Sequence, residues 1–422
     1  MGKRLKILWL SHMIPYPPKG GALQRAYNLV NELSKHHDVY LLAFSRPNVY
    51  RQIFNSYEEG LQEATTYLSN ICKDIKFLPL PYDNRPLGKY RLLTKGLLSA
   101  DGYTINWLKS KEMAAVVTQW AEKYQFDAVH FDTISLVPYK QLISNSATTL
   151  DHHNIESDML FTRKEKEKNI IKQFYFWQEA KKLQVYEKQH CDQFDINLTC
   201  SQLDSERLLK ICPSSKEIVI PNGVDINYFV PGNHKATANS MVFAGGLSWY
   251  PNLDAMHFLT DEIWPLLKKS VPDVTMNVIG KNPSKKLLSK NEKDKNFIVH
   301  GFVDDVRPYI SNAMIYVCPI RDGGGTKLKI LDALAMGCAI VAHPMAIEGI
   351  DLTHNENVML AETAEDFVQQ ITSLFNNPLL RKKLSENGRQ VAVNNYSYDS
   401  IGKKLADTFV HLNNTTNDDS AN

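Results

Sequence analysis

The stretch Arg321–Gly337, RDGGGTKLKILDALAMG, sets three consecutive glycines, a threonine and two lysines in front of a short apolar-faced segment that carries one acid. It follows NAMIYVCPI, Asn312–Ile320, an apolar and β-branched run that reads as a buried strand. Leu328, Leu331 and Ala335 then recur at helical spacing. Strand, glycine loop and helix in this order form the repeating unit of a parallel α/β sheet. Glycines let a ligand approach the backbone closely, and free N–H groups at a helix start favour an anion. Gly323, Gly324, Gly325, Thr326, Lys327 and Leu328 are therefore candidates for holding a phosphate. With a helix starting near Thr326, Asp332 lies about 9 Å further down the axis, the reach from a pyrophosphate to a ribose. The competing reading is an ordinary tight turn with Asp332 facing water. Neither GxxxxGK[ST] nor a GxGxxG opening a helix occurs in the chain. The stretch points instead to a nucleotide diphosphate held by another geometry.

Outward from this unit the same rhythm continues. SMVFAGG, VTMNVIGK, FIVHGFV and CAIVAHP read as strands of the second half. In the first half KILWLSH, VYLLAFS, FDAVHFD, ATTLDHH and DINLTCS do the same, and ALQRAYNLVNELSKH is a helix with Leu23, Tyr27, Val30 and Leu33 on its apolar side. Alternating strands and helices predict parallel sheets covered on both faces. At 422 residues the chain exceeds one ordinary core. Two doubly wound, Rossmann-like α/β domains facing across a cleft are expected. The expected boundaries are 1–212 for the first domain, 213–240 for a Pro-, Gly-, Asn- and Ser-rich linker leading into the second domain, and 241–397 for the second domain. A helix over 398–412 would pack back on the first domain, and the polar tail 413–422 would be disordered.

Composition excludes several classes. Lys plus Arg (48) nearly balances Asp plus Glu (46), so net charge gives no argument for nucleic acid. Six cysteines form no CxxC and no His-paired spacing, which predicts reduced thiols in the cytosol. No apolar run reaches the ~18 residues of a membrane span. The apolar start is weighed as a signal peptide, but His12, Pro15 and the YPP run break it and no small-residue cleavage site follows. The lysine-rich segment 161–190 with its FYFW cluster is ordinarily a solvated helix face. Its sharper reading is a peripheral contact, through 162–190, with the inner face of the cytoplasmic membrane.

Two further clusters stand at strand ends, where ligands of open α/β sheets gather. Gly20 and Gly21 form a glycine loop for an acceptor or phosphate. DHHNIES, Asp151–Ser157, concentrates polar groups, but adjacent histidines on an extended segment point to opposite sides and no zinc-like ligand set completes it. No DxD triplet occurs, so no metal is expected. His152 is read as a scaffold residue and His153 as the one that touches a sugar. The countercharge for a diphosphate would come from amides with Lys327 or Lys329.

The order of KGGALQRAYNLV, DHHNIESD, CSQLDSERL, IPNGVDINYFVP, VFAGGLSWYPNLDAMHFL and the long run from VHGFVDD to GCAIVA resembles the retaining family 4 glycosyltransferases of GT-B fold, closest to the branch serving bacterial surface polysaccharides. The resemblance implies a metal-independent hexosyl- or related glycosyltransferase, in the cytoplasm, that moves a sugar from a nucleotide-diphosphate sugar to a glycan or lipid-linked acceptor with retention of configuration. It also implies donor-binding roles for Gly245, Gly246 and Asn222. The family's pair of acids falls on Gly324 and Asp332, so the first carboxylate is absent and Asp322 is the candidate substitute. The family's Arg and Lys after the first strand of the second domain are replaced near Gly246 and Asn252, which leaves Lys327 as the candidate for the diphosphate charge. His153 and Lys327 are the expected catalytic pair. A sugar-nucleotide epimerase of the same fold and a non-catalytic nucleotide-sugar-binding subunit are the alternatives.

Overall fold

The computed structural model describes residues 4–18, 21–51, 53–82, 87–232, 236–323 and 325–420. Gly20 and Gly324 lie outside the described residues. The chain divides into one unit of residues 1–221 with 401–422 and a second of residues 222–400.

The first unit is built on seven strands: β1 (Lys6–Ser11), β2 (Asp38–Ser45), β3 (Asp74–Pro79), β4 (Ala128–Phe131), β5 (Ala147–His152), β6 (Ile196–Thr199) and β7 (Glu217–Val219). They pair in parallel in the order β3-β2-β1-β4-β5-β6-β7. Alternation along each strand sends Leu8, Leu10, Leu42 and Phe131 into one apolar layer and Ile7, Trp9, Val39 and Leu41 into the other. Burial on both faces explains why these strands read as continuous apolar runs. The helix Gly21–His36 covers the second layer through Leu29, Val30 and Leu33, and Ile401, Leu405 and Phe409 of the C-terminal helix share that layer. Arg25 of the first helix donates from Nε and Nη2 to the two Asp151 carboxylate oxygens on β5, each at 2.9 Å, and from Nη1 to the Pro221 carbonyl.

The second unit holds β8 (Ser240–Ala244), β9 (Thr275–Ile279), β10 (Phe297–Gly301), β11 (Ile315–Cys318), β12 (Ala339–Ala342) and β13 (Met359–Leu360). They form a parallel sheet in the order β10-β9-β8-β11-β12-β13. Each sheet therefore reverses its strand order once beside its first strand, between β1 and β4 and between β8 and β11. Such switch points open a crevice at the carboxyl ends of the two strands. In the first unit this places residues 12 and 132 side by side. In the second it places Gly245–Gly246 beside the loop that leaves β11.

Three expectations are corrected. Glu217–Val219 is strand β7, hydrogen-bonded to β6, although its flanks have linker composition; edge pairing, which composition does not report, recruits it. The C-terminal helix runs from Tyr398 to Ser420, so the polar run from Asn413 is helical to that point; no Gly or Pro interrupts it after Gly402. The helix after the glycine loop is Leu328–Ala335 with Lys327 as its N-cap residue, two residues later than expected. The Lys327 backbone, at φ −85 and ψ 92, is non-helical. Asp332 thus lies only about 6 Å beyond the first helical residue.

Candidate functional site

At the second unit's switch point the backbone needs its glycines. Gly323 and Gly325 adopt φ of +89 and +74, the left-handed region that β-carbons disfavour. A Cβ on Gly323 would meet the Pro251 ring at 2.8 Å, and one on Gly245 would meet Lys329 Nζ at 2.5 Å. Around Gly246 nothing lies within 4 Å of such a position. The loop is held by its own polar groups: Asp322 accepts the Gly323 N–H, and Lys327 Nζ donates to the carbonyls of Gly323 and Gly325 at 2.6 and 2.7 Å.

Beneath the loop the electrostatics are unusual. Lys329 Nζ donates to Asn252 Oδ1 at 2.6 Å and lies 4.8 Å from the Phe243 ring centre. Asn252 in turn donates to the Gly246 carbonyl at 2.8 Å. Burial pushes the Lys329 ammonium down to about 8 and lifts the Asp332 carboxyl to about 7, against the pull of Lys329. Asp332 Oδ1 and Thr326 Oγ1 are both shielded from solvent and have no hydrogen-bond partner among the described residues. Buried polar atoms are nearly always satisfied, and each exception needs an explanation, a partner from outside the chain being one. A donor set of backbone amides, a hydroxyl, an ammonium and a carboxylate suits a phosphate flanked by hydroxyls.

At the first unit's switch point the key pair joins the end of β1 to the end of β4. His12 Nδ1 lies 3.0 Å from both Asp132 oxygens, and Asp132 also accepts from the His12 N–H and from Ser11 Oγ. Burial disfavours an imidazolium at His12, but the Asp132 carboxylate outweighs it and raises the pKa. Burial likewise opposes ionisation of Asp132, and His12 reverses that. His153 follows β5; its ring centre is 5.7 Å from that of His12, its Nε2 is shielded and makes no hydrogen bond, and burial lowers its pKa. Both histidines line a cavity of about 390 Å³ with Arg46, Trp107 and Glu156. Among the described residues His12, Asp132 and His153 are the group whose ligand atoms, all within 4.8 Å of one another, could hold a metal ion. The His12–Asp132 hydrogen bond suits the same group to proton transfer.

The structure thus brings Gly323, Gly325, Thr326, Lys327, Gly245 and Asp332 to one strand end, while Leu328 packs against the core. His152 turns into the sheet, with Nε2 3.0 Å from Asn197 Oδ1. Gly21 opens the first helix. Asn222 is the first residue of the second unit, two positions before Val224, whose N–H donates to the Tyr396 carbonyl. Sequence reasoning missed His12 and Asp132. The one available signal was their shared place, each just after a strand, and it acquires meaning only once β1 and β4 are known to be neighbours.

Residues 238–377 match the family model described as glycosyl transferases group 1. Over 94% of this chain and 97% of the relative, the sequence is 23% identical to an uncharacterized 44.6 kDa protein in the cps region of Klebsiella pneumoniae. Among solved structures, sucrose-phosphate synthase from Thermosynechococcus elongatus superposes with a TM-score of 0.69 at 14% identity, over 97% of this chain and 99% of that one. Anabaena HepE in complex with UDP gives 0.67 at 14% identity, over 96% and 100%. No helix among the described residues is long and apolar enough to cross a membrane. A third of the chain, within the second unit, therefore matches glycosyl transferases group 1, and the two parallel sheets have the GT-B architecture.

Proposed function

We propose that the protein is a glycosyltransferase of surface polysaccharide synthesis that moves a sugar from a nucleotide-diphosphate donor to a glycan or lipid-linked acceptor, with retention of configuration. One observation carries the reading: at the second sheet's switch point, a loop with left-handed glycines leads into a helix that carries a half-buried lysine and a half-buried carboxylate, whose shielded Oδ1 has no hydrogen-bond partner among the described residues. The donor diphosphate lies on the amides from Gly323 to Lys327, and Asp332 accepts the ribose hydroxyls. A lysine ammonium at the loop–helix junction supplies the countercharge without a metal. Its charge and the amides stabilise the transition state more than the ground state, because the bond from the anomeric carbon to the phosphate oxygen breaks with its electron pair left on the diphosphate. The acceptor oxygen bonds to the anomeric carbon from the leaving-group face, and its proton passes to the departing diphosphate oxygen. His153 hydrogen-bonds the transferred sugar, and the loop that includes Gly20 and Gly21 contacts the acceptor. Support for a uridine nucleotide comes from HepE, solved with UDP and with UDP-glucose; support for the polysaccharide setting comes from the cps-region relative.

The test supplies purified protein with a panel of UDP- and GDP-sugars and lipid-linked acceptors, and follows acceptor-dependent release of nucleotide diphosphate with NMR of the product anomer. Transfer with the donor's anomeric configuration is expected. Isomerisation of a donor in the absence of acceptor would select the epimerase reading, and nucleotide binding with no single-turnover transfer would select the non-catalytic one.

The same reading includes a peripheral contact with anionic lipid. The helices Glu156–Lys166 and Ile170–His190 pack along each other, and Ile170 and Ile171 are each 80% exposed at the start of the second. Phe174 and Trp177 are also exposed, as is Leu98, next to Leu97, whose carbonyl accepts from Gln178 and Lys182. Lys164, Lys166, Lys168 and Lys172 flank the apolar tip. Apolar residues among lysines suit insertion into a negatively charged interface. Sedimentation with phosphatidylglycerol vesicles should fall sharply in the Ile170→Ser/Phe174→Ser variant; equal binding of variant and parent removes this surface.

A further inference from the structure

Two lysines stand at the junction of the glycine loop and the helix Leu328–Ala335, and their surroundings differ. Lys327 is committed: its ammonium crosses the loop and binds the carbonyls of Gly323 and Gly325, a contact that fixes the two left-handed glycines. Among the described residues Lys329 has a single acceptor, the neutral Asn252 Oδ1, for an ammonium with three donors. Among the described residues no carboxylate lies within ion-pair distance of it. It is one turn before Asp332 on the same helix, and each charge favours the other, but among the described residues the two form no ion pair. The ammonium lies beneath Gly245, where the absence of a β-carbon leaves the room it occupies.

We propose that Lys329, presented by Asn252, is the cation that binds the donor diphosphate, and that Lys327 is a strut of the loop. The inference rests on the donor-site reading above and assigns within it a residue that the sequence pattern leaves undecided. A half-buried ammonium with no ion-pair partner among the described residues is incompletely compensated, so the site is poised for an anion of at least one negative charge close to Gly245, Gly246 and the loop amides. Gly246, open on its side-chain face, leaves that approach clear. The neighbours support the direction of the charge. Cys318 and Lys327 face Lys329 from β11 and from the loop, and Asp332 from the helix; Asp332 favours the ammonium and Lys327 opposes it, and among the described residues none of the three forms an ion pair with it. A diphosphate raises the Lys329 pKa on binding, so above pH 8 binding takes up a proton.

The experiment measures binding of UDP, UMP and inorganic pyrophosphate by calorimetry at pH 7.0 to wild type, Lys329→Met, Lys327→Met and the swap Lys329→Met/Asn252→Lys, with unliganded melting curves for each. Loss of a charge-assisted hydrogen bond of this kind corresponds to roughly 10- to 100-fold in affinity. Lys329→Met should lose that factor for UDP and pyrophosphate, lose much less for UMP, and melt no lower than wild type because an uncompensated charge is gone. The swap should regain most of the affinity by returning an ammonium to the same spot. Lys327→Met should melt lower and bind all three ligands more weakly by a similar factor. If Lys329→Met keeps UDP affinity within twofold of wild type, or loses UMP and UDP affinity equally, the assignment is overturned. A wild type that binds none of the three fails the donor-site reading itself, a result separable from the failure of Lys329.

Discussion

The substitution Asp332→Asn puts opposite demands on stability and on ligand binding. The Asp332 carboxyl titrates near 3.8 when free and at about 7 in the folded chain, because burial opposes its charge more strongly than Lys329 favours it. With its folded value raised, the group's contribution to stability is fully present below pH 3.8 and is lost as pH rises through 7. The difference of about three pH units, at 1.36 kcal/mol each, sets an upper bound of about 4 kcal/mol. Most of that loss falls between pH 5 and pH 8. Asparagine never ionises, so the variant escapes it. Lys329 on the same helix, Lys327 at the end of the loop, and Tyr316 and Cys318 on β11 are titratable groups around Asp332 and Lys329; they are common to both proteins, so the comparison cancels them to first order. Urea unfolding of the ligand-free proteins at pH 5 and pH 8 should show Asp332→Asn gaining on wild type with pH, by about 2 to 3 kcal/mol in the difference. UDP should nevertheless stabilise the variant less than wild type at pH 8, because a carboxylate accepting ribose hydroxyls is gone. A stability difference that is the same at the two pH values would refute the claim that Asp332 is held in the folded chain without a compensating partner.

Four more outcomes are expected. Arg25→Met leaves the buried Asp151 carboxylate without its partner and should cost about 3–5 kcal/mol at pH 7 by denaturant unfolding. Burial opposes the charge of Asp151, yet Arg25 holds its pKa at about 2, so in wild type that contribution is present above the ordinary 3.8 and lost as pH falls through 2; the penalty of the variant should shrink in acid. Gly280→Ala brings a β-carbon 1.8 Å from the Gly245 carbonyl and should lower stability by about 3 kcal/mol or more, read by melting. His153→Ala should reduce kcat about 100-fold with little change in the KM for donor, measured by coupled nucleotide release. Activity should fall in the His12→Asn variant with its pH optimum displaced, whereas an unchanged pH profile would remove the His12–Asp132 pair from the chemistry.

Local patterns carried much of the architecture. Runs such as AMIYVCPI and CAIVAHP are apolar on both sides because helices cover both faces of a parallel sheet, and that period is visible along the chain. The glycine loop was legible for the same reason: a left-handed turn before a helix is made by a few consecutive residues, Gly323 and Gly325 among them. Of the four edge strands, β10 was legible as FIVHGFV, whereas β3, β7 and β13 were not, since short or half-exposed strands at a sheet's margin lack the continuous apolar run of the centre.

The amino-acid order alone determined that two α/β units exist, that a glycine loop opens a helix in the second, and that Asp332 follows it on that helix. Only the tertiary structure decided which charged groups act together. His12 meets Asp132 across 120 residues and Lys329 meets Asn252 across 77, contacts created by strand order rather than by spacing. It also decided that Lys327, the lysine nearest the glycines, spends its ammonium on the loop, and that Asp332 and Lys329 are ionisable groups under strain from burial. The physical reason is that charge energetics depend on the solvent removed around a group, and solvent is removed by distant segments of the chain packing together.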